Sequence, residues 1–301
     1  MSLVVVGSVA YDGVETPHGK VDRMLGGAGT YIALAASYFT EVKIVAVVGD
    51  DFAAEDTLLL ESRGIDLAGL ERVPGKTFFW AGKYSDDMNE RVTLRTDLNV
   101  FAGFEPKLPE SWRSQPYLLL GNIQPGLQRQ VRRQMTGLKL SGGDTMNYWI
   151  EGHRPDLVET LKDWDFLLIN DSEARMLSGE SNLRRAAARI LELGPKVLVI
   201  KRGEFGAVLF MGDQHFFAPG YLLDSLFDPT GAGDSFAGGF IGYLAGAGVT
   251  KLSPKNLRQA VIYGSVLGSF CCEKFGVDRF RTLTRKEIAA RYEEFRNCTR
   301  F

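Results

Sequence analysis

The run Asp228-Pro229-Thr230-Gly231-Ala232-Gly233-Asp234-Ser235 carries the densest chemistry in the chain. Gly231 and Gly233 remove Cβ atoms from a turn that leads into a helical stretch at 235–245, so main-chain N–H groups can converge there. A helix start adds partial positive charge, and the two features together make a cradle for an anion. Asp234 stands at the rim of that cradle. A carboxylate so placed suits phosphoryl transfer: it takes the proton of an attacking hydroxyl while main-chain donors stabilise the moving phosphoryl group. The same helix dipole weakens Asp234 as a base, but the proton moves late in such reactions and positioning supplies most of the catalysis. The competing reading is structural, with glycines for tight packing and Asp234 as a helix cap.

Other constellations recur where an apolar run ends. Gly7-Ser8-Val9-Ala10-Tyr11-Asp12 follows the first such run, and Asp12 fits either a turn or a contact to acceptor hydroxyls. Gly26-Gly27-Ala28-Gly29 precedes a helix expected to begin near Thr30, offering close backbone approach to a ligand. Asn122, just past the run 117–120, fits acceptor hydrogen bonding or a turn equally. Asn170 and Glu173 open another helix; they read as a phosphate and metal pair or as an ordinary capping box. Lys201-Arg202-Gly203-Glu204-Phe205-Gly206 lies between two strand runs, either as a plain hairpin or as a cationic turn beside a nucleotide.

The Asp228–Phe240 run closely resembles the C-terminal signature of the PfkB carbohydrate kinase family, which includes ribokinases, fructokinases and adenosine kinases. The resemblance implies that Asp234 is the catalytic base and that the amides of Gly231, Ala232 and Gly233 form the anion hole. It further implies substrate contacts from Asp12, Gly26 and Gly27, and phosphate or nucleotide contacts from Asn170, Glu173, Lys201, Gly203, Gly206 and Thr230. ATP and Mg²⁺ are the implied cofactors, with Glu173 ordering Mg²⁺ through water, and Asp228 is the implied holder of a monovalent cation such as K⁺. Two departures stand out: Pro229 replaces the usual Thr, and Tyr31 stands where many members carry an acceptor-binding Asn. The resemblance runs in order from Gly7 to Gly276.

These residues need a scaffold. Short apolar runs at 3–6, 43–48, 117–120, 166–169, 196–200 and 207–210 read as buried strands, and helical spacing fills the intervals at 31–39, 53–63, 128–135, 156–161 and 183–193. Such alternation predicts a mainly parallel sheet between two helical layers, and the resemblance implies that this is a three-layer α/β/α ribokinase-like domain. The last third reads as successive helices at 235–245, 255–272 and 285–295. Residues 14–25 and 77–101 interrupt the alternation and read as antiparallel strands, a small β-sheet lid on one single domain spanning 1–301. The lid is expected to close on the acceptor, and the resemblance implies that it can mediate a homodimer, as similar lids do in relatives.

Composition narrows the partners. With 45% hydrophobic and 24% charged residues and a net charge of −2, the 301-residue chain is expected to be an ordered globular protein that binds a small molecule, with no nucleic acid polymer and no membrane. Three cysteines without CxxC spacing, no basic leader and no apolar run near 20 residues predict a cytoplasmic protein. A P-loop is excluded by spacing, since Leu70 stands where Pro74-Gly75-Lys76-Thr77 would require glycine. No GxGxxG follows the first strand, and the three histidines are scattered. A non-catalytic sugar- or nucleotide-binding regulator on the same backbone is the remaining alternative, and Asp234 argues against it because a binding module needs no base. The acceptor is a free sugar or a nucleoside. Phe78, Phe79 and Trp80, with Tyr148 and Trp149, lean toward a nucleoside as base-stacking candidates.

Overall fold

The computed structural model describes residues 2–300. The chain opens with β1 (Ser2–Val6), buried along its whole length, and then leaves the body in a hairpin of β2 (Ala10–Thr16) and β3 (Gly19–Gly26). It returns through α1 (Ala28–Ala36), β4 (Glu41–Val48), α2 (Ala54–Ser62) and β5 (Ile65–Arg72). A second excursion, β6 (Phe79–Tyr84) and β7 (Arg91–Asp97), precedes β8 (Tyr117–Leu120). Next come α3 (Pro125–Gln134), β9 (Leu140–Gly143), α4 (Asn147–Gly152), α5 (Arg154–Leu161) and β10 (Phe166–Asn170). They are followed by α6 (Asp171–Ser178), α7 (Leu183–Leu191), β11 (Val197–Lys201), β12 (Ala207–Met211) and β13 (Gln214–Ala218). The chain closes with α8 (Ala232–Gly246), α9 (Pro254–Cys271), α10 (Asp278–Thr282) and α11 (Arg285–Cys298).

Nine strands form the main sheet in the order β13-β12-β11-β10-β9-β8-β1-β4-β5. From β5 to β11 every pairing is parallel, and β12 and β13 add an antiparallel edge. Alternation along β1 divides the core: Leu3 and Val5 join the cluster containing α1, α8 and α9 residues, whereas Val4 and Val6 join the one containing α3, α5, α6 and α7 residues. Burying each such side chain contributes about 1.5–3 kcal/mol. The sandwich is therefore the expected α/β/α arrangement, with its strands ending along one edge at Gly7, Gly121, Asp144, Asn170 and Lys201.

The two excursions join in a second sheet of order β3-β2-β6-β7. The expectation of purely antiparallel pairing is corrected at its centre, where β2 and β6 are parallel, Tyr11 opposite Phe79 and Glu15 opposite Lys83. The cause is topological. Both excursions leave from the carboxyl ends of parallel strands, β1 and β5, so their first strands run the same way. The sheet also begins at Ala10, earlier than expected from residue 14, and that earlier part includes Asp12.

Candidate active site

Helix α8 begins on a left-handed residue: Gly231 caps it at φ 76°. A side chain there would be strained by the backbone, and its Cβ would lie 2.5 Å from ring carbons of Tyr31. Ser235 N–H donates to Gly231 O at 2.8 Å, so the helix starts abruptly. Of the three amides assigned to the anion hole, that of Ala232 donates instead to Pro229 O at 3.1 Å, because the turn closes on itself there. Among the described residues no carbonyl accepts from the N–H of Gly231, Gly233 or Asp234. The main-chain donors left for an anion thus come from the two assigned glycines and from Asp234 itself.

Thr230 and Asp228 hold this turn from behind. The fully buried carboxylate of Asp228 accepts from Thr230 N–H at 2.8 Å through Oδ1 and from Gly276 N–H at 2.9 Å through Oδ2, tying two distant loops together. Burial raises its pKa above the usual carboxylate range, opposed by those N–H donors. Thr230 Oγ1 in turn donates to Tyr84 Oη on β6 at 3.1 Å.

Asp234 itself, half-buried on the first turn of α8, meets charged groups from several strands. Burial raises its pKa, while the cations Lys201 and Arg91 and a hydrogen bond with the Asp144 carboxyl group pull it down. Lys201, at the end of β11, reaches Gly233 O with Nζ at 3.5 Å. Arg91 comes from the start of β7 in the small sheet. Neither Asp144 nor Arg91 was among the residues expected from sequence. Asp144 follows a strand end, the same signal that marked Asn170, and that signal would have found it had β9 been recognised.

The opposite wall is built at the start of α1. Gly27, at φ 91°, precedes the helix, which begins at Ala28 and not near Thr30; Ser8 explains the early start by accepting from Ala28 N–H with Oγ and from Gly29 N–H with its carbonyl. Asp12 is 5% exposed and packs so closely on Gly26 that a Cβ there would lie 2.0 Å from Asp12 Oδ2. Burial, then the charge of Asp228, raises Asp12 to about 7, and the Gly27 N–H opposes the shift. Asp12, Gly26, Gly27 and Asp234 thus converge on one region.

Asn170 and Glu173 form a complete capping box: Asn170 Oδ1 accepts from Glu173 N–H at 2.7 Å, and Glu173 Oε2 accepts from Asn170 N–H at 2.8 Å. The structural reading of this pair is realised, but it engages only one Glu173 oxygen. Burial raises the pKa of Glu173, opposed by Lys201, by the Asn170 N–H and by Arg91, so its carboxyl faces the same charged cluster. The turn after β11 holds Gly203 and Gly206 at positive φ, and a Cβ on Gly206 would meet Ala218 O at 2.1 Å. Asn89, from the β6–β7 loop, donates to Glu204 Oε1 in that turn at 3.2 Å.

Asn122 Oδ1 accepts from Trp149 Nε1 at 2.8 Å and its Nδ2 donates to Met146 Sδ at 3.0 Å, which orients the amide against the segment around α4 and leaves each end one further hydrogen-bond position. The aromatic candidates have protein neighbours as well. Phe78 stacks on Phe101, Trp80 donates to Thr93 Oγ1, Arg95 lies over Phe79, and Tyr148 is 58% exposed beside Trp149.

Residues 1–282 match the family model described as pfkB family carbohydrate kinase. The chain is similar to a cytidine kinase of Thermococcus kodakarensis, 30% identical over 265 residues that cover 86% of this chain and 95% of the relative. In fold it resembles an adenosine kinase from Sinorhizobium meliloti, with a TM-score of 0.79 at 18% identity over 97% of this chain and 99% of the other. It likewise resembles a putative ribokinase II from E. coli in complex with ATP and Mg²⁺, with a TM-score of 0.77 at 20% identity over 97% and 99% of the two chains.

Proposed function

Because the chain belongs to the pfkB family of carbohydrate kinases, and is thus a kinase for a sugar or a nucleoside, we propose that it transfers the γ-phosphoryl group of ATP to a hydroxyl of a nucleoside ribose with Asp234 as general base. The observation that carries the mechanism is the convergence of Asp234, Lys201 and the unpaired amides on the first turn of α8, facing Asp12 across the site. In this reading Asp12 accepts hydrogen bonds from acceptor hydroxyls, and the small sheet covers the acceptor. Asp234 receives the proton as the acceptor oxygen bonds to phosphorus and the bond to the leaving phosphate oxygen breaks. Amides at Gly231, Gly233 and Asp234, with Lys201, stabilise charge on the transferring group. The turn from Lys201 to Gly206 and Thr230 border the nucleotide.

The donor set at Glu173 fits Mg²⁺, since capping leaves one carboxylate oxygen without a protein partner and hard cations take oxygen ligands, often through water. Bound there, Mg²⁺ would neutralise phosphate charge. Asp228 fits a monovalent cation by a different criterion: it is fully buried and no cationic side chain among the described residues pairs with it. Similarity to a cytidine kinase supports a nucleoside acceptor over a free sugar. Exposed Val92 and Leu94 on β7 support a homodimer through the small sheet, to be read from sedimentation of the native chain against a Val92→Glu variant. Among the described residues no helix is long and apolar enough to cross a membrane.

Release of ADP with fructose, ribose, adenosine, inosine and cytidine tests the acceptor. Nucleoside turnover exceeding sugar turnover is the expected result, and the reverse order refutes it. Asp234→Asn is expected to abolish turnover while ATP binding survives. Unchanged turnover would remove Asp234 as the base.

A further inference from the structure

The ring of Tyr31 lies flat beneath Gly231. A Cβ built on Gly231 would stand 2.5 Å from Cδ1, Cδ2 and Cε2 of that ring at once. Equal distances to carbons on both sides of the ring place the glycine over its face and not at its edge. We propose that Tyr31 is a positioning residue for phosphoryl transfer: its ring is the floor that sets the height of the Gly231 turn, and so aims the amides of Gly231, Gly233 and Asp234.

Tyr31 can serve as a floor because α1 and α8 form one block. Along α8, Gly238 and Gly242 face α1 so closely that a Cβ would meet Ile32 O at 2.4 Å and Ala36 Cα at 2.8 Å, and one on Gly246 would meet Phe39 O at 2.4 Å. Backbones in such contact cannot slide past each other without clashing. Buried Tyr31 stands at the end of this seam where α8 begins. Its own N–H donates to Gly27 O at 3.2 Å. One helix start thus carries both the acceptor wall, through Gly26 and Gly27, and the support of the phosphate turn.

The ring and not the hydroxyl supplies the support. Tyr31 Oη is buried and has no hydrogen-bond partner among the described residues. An unpaired buried hydroxyl costs stability, so Tyr31→Phe would lose nothing that holds the turn. A smaller side chain would instead leave left-handed Gly231, at φ 76°, over a void into which the turn can sink. Displaced amides would still border the nucleotide in the ground state but would miss the charge that develops during transfer, which lowers kcat and spares binding.

This role presupposes transfer at the α8 turn with Asp234 as base, and the two readings fail separately. Tyr31→Phe, Tyr31→Leu and Asp234→Asn are assayed with Mg-ATP and whichever acceptor of the five above releases ADP fastest. Tyr31→Phe is expected to keep kcat within about threefold of the wild type, whereas Tyr31→Leu is expected to lose about tenfold to a hundredfold in kcat with both KM values nearly unchanged. A second readout needs no turnover. Thr-Gly occurs only at 136–137 and 230–231, so carbonyl-¹³C threonine combined with ¹⁵N,¹³Cα-glycine isolates two signals, and Gly137, which packs on Ser114, is the reference. The α-proton of Gly231 that points at the ring is expected far upfield in the wild type and in Tyr31→Phe, and at an ordinary shift in Tyr31→Leu. Full kcat in Tyr31→Leu or equal losses in both Tyr31 variants would overturn the proposal. An ordinary Gly231 shift in the wild type would overturn it even if Tyr31→Leu failed to fold. Retained turnover in Asp234→Asn would instead overturn the base and leave the ring contact standing.

Discussion

Thr230 Oγ1 donates to Tyr84 Oη at 3.1 Å, a buried hydrogen bond joining the small sheet to the residue just before the glycine turn of α8. Beside it, Thr16 Oγ1 donates to Phe227 O and Asn89 of the β6–β7 loop donates to Glu204. If the small sheet covers the acceptor, Tyr84→Phe loosens the cover without touching Asp234 and leaves the Thr230 hydroxyl short of a partner. A neutral hydrogen bond contributes about 0.5–1.5 kcal/mol, so the acceptor KM is expected to rise about threefold to tenfold. Steady-state kinetics with kcat and ATP KM nearly unchanged would agree; an unchanged acceptor KM would sever the sheet from acceptor binding.

Asp12 predicts a pH dependence with a definite sign. Its pKa in the folded protein is about 7 against an ordinary 3.8, so between those values the folded chain holds a proton that the unfolded chain releases. Stability from this group is fully present below the unfolded value and is lost as pH rises through the folded one, at up to about 1.4 kcal/mol per pH unit between. Urea midpoints measured from pH 5 to 7.5 should therefore fall less steeply in Asp12→Asn than in the wild type. Acceptor binding has the opposite sign, because hydroxyls donate best to the ionised form, and acceptor affinity should rise through pH 7. Parallel urea profiles in the two proteins would refute the assignment.

Gly26→Ala separates the acceptor from the nucleotide. Its added Cβ would fall 2.0 Å from Asp12 Oδ2, so the carboxyl must rotate away from the Gly27 N–H that it accepts from. Loss of one charge-assisted hydrogen bond and of its aim costs about 1.5–3 kcal/mol, an increase of about tenfold to a hundredfold in acceptor KM. Calorimetry should find ATP binding to the folded variant unchanged. Equal weakening of both ligands would mean that the two walls of the site are not independent.

The candidate site was legible where its chemistry is local: Asp228, Gly231 and Asp234 lie in one short run, and the glycine spacing predicts the turn that opens α8. Helix starts were read late, α1 at Thr30 instead of Ala28 and α8 at Ser235 instead of Ala232, because glycines that read as breakers lie inside the first turns. Asp144 was missed because β9 reads Leu-Ser-Gly-Gly, with one large apolar residue; a Cβ on Gly142 would lie 2.2 Å from Phe166 O, so strand packing demands the residue that hides the strand. Asn122 reads equally as an acceptor contact or a turn because a polar residue at a strand end gives no local sign of the indole N–H from α4 that it accepts from. Arg91 gave no local signal, since only the pairing of β6 with β7 brings it to the site.

Asp228 sets the last prediction, on cation removal. Its carboxylate holds Thr230 and Gly276 by their N–H groups, and these two contacts position the turn that presents the α8 amides. A buried carboxylate with only N–H donors retains net negative charge, which a partly dehydrated K⁺ held by neighbouring carbonyls would offset. Replacing K⁺ by tetramethylammonium, too large to enter, is expected to lower kcat about tenfold, equivalent to about 1.4 kcal/mol of lost transition-state stabilisation. Added K⁺ should restore it, and Asp228→Asn should be slow in both salts because the neutral amide neither attracts the cation nor accepts both N–H groups. Wild-type turnover that ignores the cation would leave Asp228 as a loop tie alone, its charge offset by the two main-chain donors.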